Sequence, residues 1–333
     1  MFKDKTIMVT GGTGSIGSEI VRQLLSYNPK AIRIFSRDES KQFNMEQELN
    51  EYSQIRYLIG DIRDKERLEY AAQGVDVIFH AAALKHVPSC EYNPFEAVKT
   101  NVLGTQNVIE VAINNNVEKM VSISTDKVVN PMNTMGATKL LSEKLISAAG
   151  YYKGNARTVF SCVRFGNVMG SRGSVIPLFK DQIMNGKPIT LTHREMTRFM
   201  MSIPQAAKLV VSAGELSSGG ETYVLKMPVL YIKDLAEVLM DDYQEKYGTS
   251  SSEIVEVGIR PGEKIYEELM TAEESERAFE NEKMYAIYSN FAKNYEPPQG
   301  FRKSEPKAYS SHNAPVLTKT EIRELLDRES LLF

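Results

Sequence analysis

An aspartate and a lysine stand side by side at Asp126-Lys127, with the hydroxyl of Thr125 before them and a second lysine, Lys139, further along. A carboxylic acid that keeps its proton is a general acid, and an amine that has lost its proton is a general base. Lys127 meets that condition where other positive charge crowds it, as Lys139 would, and Asp126 where its site raises its pKa. Taken alone, the pair is as readily a salt bridge that caps a turn. Met135 lies between the two lysines. A thioether has no proton to give and is a weak acceptor, so proton chemistry here falls to its neighbours.

A second set of residues suits phosphate. Thr10-Gly11-Gly12-Thr13-Gly14-Ser15-Ile16-Gly17 joins an apolar run to an amphipathic one. Gly11 permits a tight turn, Gly14 lets backbone N–H groups approach a pyrophosphate, and Gly17 lets the helix close onto the sheet. At the first strand-to-helix turn of a βα chain, this pattern predicts a dinucleotide site. The next strand ends in Ser36-Arg37, with Lys41 close behind, where an acidic residue would suit NAD. A hydroxyl and a guanidinium suit a 2′-phosphate, so the expected cofactor is NADP. Asp38 and Glu39 leave the NAD alternative open.

The elements that must position these residues alternate regularly. Strands are expected at 5–10, 31–36, 56–59, 75–80, 119–124 and 158–165, with helices at 15–27, 39–51, 94–115 and 134–149. Six βα units in this order predict a Rossmann-type, doubly wound parallel sheet in an α/β fold. Residues 1–165 then form the cofactor-binding domain. Residues 166–333 form a smaller mixed α/β region that is mainly substrate-binding, with some segments returning to the first domain. In that half, 166–198 reads as ligand-facing loops around one short helix. Helices are expected at 204–213 and 232–247 and a strand at 222–226. The four prolines of 295–315 suggest an extended arm rather than a packed element. Thr318 and Glu321 form a capping box for a last helix.

Composition narrows the function. With 40 basic against 43 acidic residues the chain carries no general attraction for nucleic acid. No apolar run approaches the ~20 residues of a membrane helix, and no signal-peptide pattern is seen. Cys90 and Cys162, far apart in sequence, suggest a reducing compartment, and the four histidines make no metal motif. The expectation is a cytoplasmic protein without a metal, a nucleic-acid partner or a membrane anchor.

Several further motifs occur together and in order: His80-Ala81-Ala82-Ala83-Leu84-Lys85-His86-Val87-Pro88, Ser124-Thr125-Asp126-Lys127, Arg164-Phe165-Gly166-Asn167-Val168, Gly173-Ser174-Val175-Ile176-Pro177, Met196-Thr197-Arg198-Phe199 and Arg260-Pro261-Gly262-Glu263-Lys264. With the glycine loop they resemble the UDP-N-acetylglucosamine 4,6-dehydratases, extended short-chain dehydrogenases of capsule and surface-sugar pathways, over residues 1 to about 271. Most of that family has a tyrosine where Met135 stands. This chain is similar to a soluble subset with methionine there.

The resemblance implies a redox-neutral reaction. Hydride leaves sugar C4, water is eliminated across C5–C6, and the hydride returns to C6. It implies Lys127 as base at C5, Asp126 as acid for the C6 hydroxyl, Thr125 on O4 and Lys139 on the nicotinamide ribose. Without the phenol, Lys127 or a water beside Thr125 is expected to take the O4 proton. Asp61-Ile62 becomes the adenine contact, and Ala81, Ala82 and Ala83 the floor beneath the cofactor. Lys85, Asn167 and Val175 become sugar-diphosphate contacts, Arg172, Arg198 and Arg260 phosphate partners, and Glu263 a ribose partner. A homo-oligomer, dimer or hexamer, is also implied; C5 is retained in some members and inverted in others. Two rival readings share much of this: a UDP-sugar 4-epimerase, and an NADP-binding regulatory module without turnover.

Overall fold

A computed structural model describes residues 1–171, 173–248, 253–290 and 296–333. In the first half the elements are β1 (Thr6–Thr10), α1 (Ser15–Leu25), β2 (Ala31–Ser36), α2 (Glu39–Glu48), β3 (Ile55–Ile59), α3 (Lys65–Ala72), β4 (Val77–His80), α4 (Val87–Tyr92), α5 (Pro94–Ala97), α6 (Gly104–Asn114), β5 (Lys119–Ile123), α7 (Thr134–Tyr152) and β6 (Val159–Arg164). The second half contributes β7 (Asn167–Val168), α8 (Val175–Met184), β8 (Ile189–Leu191), β9 (Thr197–Met201), α9 (Ile203–Leu216), β10 (Glu221–Leu225), β11 (Val229–Tyr231) and α10 (Ile232–Tyr247). After these come β12 (Ile254–Glu256), β13 (Glu268–Met270), α11 (Ala272–Ser275), β14 (Ala278–Glu280), β15 (Met284–Tyr288), β16 (Arg302–Lys303), β17 (Tyr309–Ser310) and α12 (Lys319–Arg328).

The main sheet runs β3-β2-β1-β4-β5-β6-β10-β15-β14-β16, parallel from β3 to β10 and antiparallel beyond. The α/β reading is right. β1 is buried along its whole length, as a strand covered on both faces must be. One apolar cluster packs α1 and α9 on one face, and a second packs α3, α6 and α7 on the other. The strand order reverses beside β1, between β1 and β4, which opens a crevice at the carboxyl ends of the strands.

Several expectations need correcting. The helix expected at 94–115 is three pieces, because a π-helical turn at Val98–Leu103 separates α5 from α6. α3 is too short and polar for an apolar stripe to announce it. The 166–198 segment holds three strands besides its helix. The 295–315 arm, described from 296, is packed: β16 joins the main sheet and β17 pairs with β13. Tyr309 anchors it, accepting from Met227 N at 2.8 Å, while Ser311 is fully buried. The capping box of α12 is present.

Arg164, at the end of β6, ties the two halves together. Its guanidinium bonds both oxygens of Glu143 on α7 and both oxygens of Glu274 on α11, at 2.8–3.1 Å, and all three side chains are largely buried. Burial pushes the Glu274 carboxyl up, but the charge and hydrogen bonds of Arg164 outweigh it and hold the group below its ordinary range. Arg164→Met would leave two buried carboxylates unpaired and is expected to cost about 3–5 kcal/mol in urea denaturation. A carboxyl lowered by folding stabilises above its unfolded pKa, near ~4.3, and that contribution is lost as pH falls through the folded value. Glu274→Gln is therefore expected to be less stable at neutral pH and to lose less on acidification from about pH 5 downwards.

Candidate active site

A cavity of 1170 Å³ opens at the carboxyl edge of the sheet, and most of the singled-out residues line it. At one end is the glycine loop. Gly11 has φ +67°, and a Cβ on it would stand 2.7 Å from Ala82 N. A Cβ on Gly17 would stand 2.3 Å from Gly11 O. The loop therefore folds tightly onto Ala81-Ala82 and onto itself. Gly14 is the N-cap of α1 and offers no side chain, so the first turn's N–H groups are left for an external acceptor. Thr13, Gly14, Ser15, Ile16 and Gly17 all line the cavity. Thr10 does not. It is fully buried, and its Oγ1 lies 2.7 Å from His80 Nδ1, so the sequence reading placed it one layer too far forward. Burial, with Lys139 nearby, pushes His80 down to about 3, which makes it a neutral link to Thr105.

Beyond β2, Ser36 is nearly buried and bonds Thr13 Oγ1 and Gln42 Nε2. Arg37 is half exposed at the rim, 3.4 Å from Asp61 Oδ2. Asp38 caps α2 through Lys41 N and pairs with the Lys41 ammonium. Asp61 also accepts from Arg63; burial works against it, but those bonds keep its carboxyl below the ordinary range. Ile62 packs against Gly104, where an added Cβ would meet it at 2.6 Å. Ala81, Ala82 and Ala83 lie along the floor. Asn101, in the π-helical turn, holds the end of that floor: its Oδ1 accepts from Leu84 N and its Nδ2 donates to Leu84 O and Thr138 Oγ1. Sequence reading missed Asn101, whose only signal is a buried amide within an apolar helix.

Thr125, Asp126 and Lys127 sit on a short turn after β5. Thr125 Oγ1 donates to Asp126 Oδ1 at 2.7 Å, and Lys127 Nζ donates to the same oxygen at 2.9 Å. Thr125 and Lys127 line the cavity, whereas Asp126 is only 1% exposed and lies behind them. Burial pulls Lys127 down, but Asp126 and the buried carboxylate of Glu267, 3.6 Å away, more than compensate and hold its ammonium above the ordinary value. That corrects the expectation of a neutral Lys127: two carboxylates face it. Lys139 is the lysine whose proton is weakened, by burial, and its Nζ donates to Ile123 O at 2.6 Å. Met135 packs against Cys90, Ala97, Leu84 and Val87 and forms an apolar part of the cavity wall.

On the far side, Lys85, Asn167, Val175, Arg260 and Glu263 line the cavity. Arg198 lines it too, but its guanidinium is committed elsewhere. It donates to Thr197 O, Lys264 O and Ile265 O, and its Nε lies 3.7 Å from Glu267. It anchors the 264–267 segment, which corrects its assignment as a two-pronged phosphate partner. Arg172 lies outside the described residues. Glu267, which sequence reading passed over, is held in turn by the arm: its N–H donates to Ser311 Oγ, and Ser311 N donates back to Glu267 O. Asn133 caps α7 and donates to Gly262 O, joining the Arg260–Lys264 loop to that helix.

A family model described as polysaccharide biosynthesis protein matches residues 7–289, and the chain belongs to that family. It is 55% identical over 335 residues to a protein of Methanocaldococcus jannaschii named an uncharacterized membrane protein, covering 99% of this chain and 98% of that one. Among the described residues no helix is long and apolar enough to cross a membrane. It is 44% identical over 338 residues, 98% of each chain, to a Campylobacter jejuni UDP-N-acetylglucosamine 4,6-dehydratase (inverting), which bears out the resemblance in the sequence. It is also 44% identical, over 98% of its length and 96% of the relative's, to a Rickettsia rickettsii UDP-glucose 4-epimerase. The solved structure of Pen from Bacillus thuringiensis superposes with a TM-score of 0.94 at 47% identity, over 100% of both chains.

The fit of α7 against the turn is testable. A Cβ on Gly136 would stand 2.3 Å from Lys127 O, against backbone that has no room to yield. Gly136→Ala is expected to cost about 1–3 kcal/mol by overpacking, read as a lower urea midpoint with an unchanged m-value.

Proposed function

We propose that this member of the polysaccharide biosynthesis protein family is an NADP-dependent UDP-N-acetylglucosamine 4,6-dehydratase, a hydro-lyase. The observation that carries the reading is the turn in which a hydroxyl and an ammonium of the cavity wall meet a carboxylate behind it at one oxygen, Asp126 Oδ1. The glycine loop fits a dinucleotide, because an added Cβ at Gly11 or Gly17 would fill the tight turn and α1 starts without a side-chain cap. Arg37 and Lys41 at the rim favour a 2′-phosphate, and Asp38 is already engaged as a helix cap. Bound there, NADP supplies the hydride acceptor and donor. Lys139 is the residue to hold its ribose.

The residues of the turn account for the protons. A sugar O4 hydroxyl resting on Thr125 loses its proton to Thr125 Oγ1 as that hydroxyl passes its own to Asp126 Oδ1, 2.7 Å away. Asp126 is then the protonated acid that the departing C6 hydroxyl requires, reached by the same hydroxyl in reverse. Neutralising Asp126 also removes one of the two charges that hold the Lys127 ammonium, which favours Lys127 as base at C5. This route replaces the water, or Lys127 itself, as first acceptor of the O4 proton. Met135 then contributes shape alone. Asn167, Lys85, Arg260 and Glu263 line the same cavity, which supports them as the residues that hold the UDP-sugar.

A 4-epimerase is the second reading, favoured by the name of the Rickettsia relative. Purified protein with NADP and UDP-N-acetylglucosamine is expected to give a product lighter by one water; an isomer of unchanged mass would instead establish the epimerase. Lys127→Ala is expected to lower kcat by about 10²–10⁴-fold while nucleotide binding persists. Titration is expected to show NADP binding at least about tenfold tighter than NAD, a difference of roughly 1.4 kcal/mol.

A further inference from the structure

Lys127 has a second carboxylate that the reaction above leaves unused. Glu267 is 3% exposed and does not line the cavity. Its Oε1 stands 3.6 Å from Lys127 Nζ and 3.7 Å from Arg198 Nε, while its Oε2 is buried and bonds no described residue. Asp126 Oδ2 is likewise buried without a hydrogen bond to any described residue. Four charged groups thus share one pocket, and Glu263 and Lys264 stand at its edge. The arm packed against Glu267 contributes the Ser311 hydroxyl, which fixes the Glu267 backbone.

Glu267 is buried with one oxygen unbonded and the other held only by long ion pairs, so it is better suited to accepting a proton than a fully hydrogen-bonded carboxylate would be. We propose that Glu267 is a positioning residue that takes up the proton Lys127 must shed before it can act as base. This rests on the dehydratase reading. The Nζ–H bond of Lys127 breaks and an O–H bond forms on Glu267, leaving a neutral amine and a neutral acid. The amine then takes H5 from the sugar and returns a proton to C5, and Glu267 gives its own back to Lys127 at the end of the cycle. No proton is exchanged with solvent, and the relay between Lys127 and Glu267 itself oxidises and reduces nothing. Burial, reinforced by Asp126, raises the Glu267 carboxyl, which agrees with this role although Lys127 and Arg198 pull the other way.

The pH profile separates this from a merely structural carboxylate. In the wild type, with one proton shared between Lys127 and Glu267, kcat is expected to rise through an acid limb and then stay level. In Glu267→Gln the proton has no internal acceptor. Its kcat is expected to fall by about 10²-fold at neutral pH, the lower end of a general base's contribution, and to climb about tenfold per pH unit into the alkaline range. NADP and UDP affinities are expected to be unchanged, and Glu267→Asp to keep a level profile at reduced kcat. A Glu267→Gln enzyme with the wild-type kcat and profile would overturn the inference alone. So would a wild-type kcat that climbs steadily through the alkaline range, a result that needs no variant to fold. Wild-type protein that dehydrates no UDP-sugar would overturn the underlying reading and the inference together.

Discussion

Charges taken out of water must be matched, and the site is organised by that requirement. Lys127 lies between Asp126 and Glu267, and Arg198 faces Glu267 from the other side. These residues come from the turn after β5, from β9 and from the segment entering β13, so matching them brings the two halves of the chain to one place. Removing Lys127 would leave the Asp126 carboxylate buried without its cation, which costs more than the pair itself is worth. Arg164 works in the same way beneath the site, between Glu143 and Glu274. Geometry that has to be kept within fractions of an ångström is thus imposed by electrostatics, with apolar packing supplying the rest of the frame.

Local signals were legible in the sequence because they are local in cause. The glycine loop, the apolar stripe of α1, the full length of α10 and the Thr318–Glu321 box each follow from residues within one or two turns of one another. The misses share a different origin. Arg198 read as a free phosphate partner because its carbonyl acceptors, Lys264 and Ile265, lie more than sixty residues away. Glu267 looked like one acid among many. The arm after 295 looked unpacked because its prolines and polar residues give no periodicity, although Tyr309 and Ser311 are buried anchors. The π-helical turn at 98–103 has no propensity signature and serves to aim Asn101 at the Leu84 backbone, at the end of the alanine floor of the cavity.

Met135 gives the cavity wall shape and no proton. Its side chain continues an apolar surface made by Cys90 and Ala97, so the wall stays smooth where a phenol would have needed a polar partner. The neighbouring Thr125–Asp126 hydrogen bond offers a proton a path that avoids that wall. In the proposed reaction, shape and proton transfer are divided between two side chains.

The double hydrogen bond between Ser311 and Glu267, with Ser311 also 3.0 Å from Thr197 Oγ1, has a consequence for biosynthesis. A nascent chain can complete its nucleotide-binding sheet as far as β10 long before this serine leaves the ribosome. Until it does, the stretches bearing Arg198 and Glu267 lack their brace. The pocket around Glu267 is therefore complete only once the segment bearing Ser311 has docked, as a keystone set last into an arch already standing.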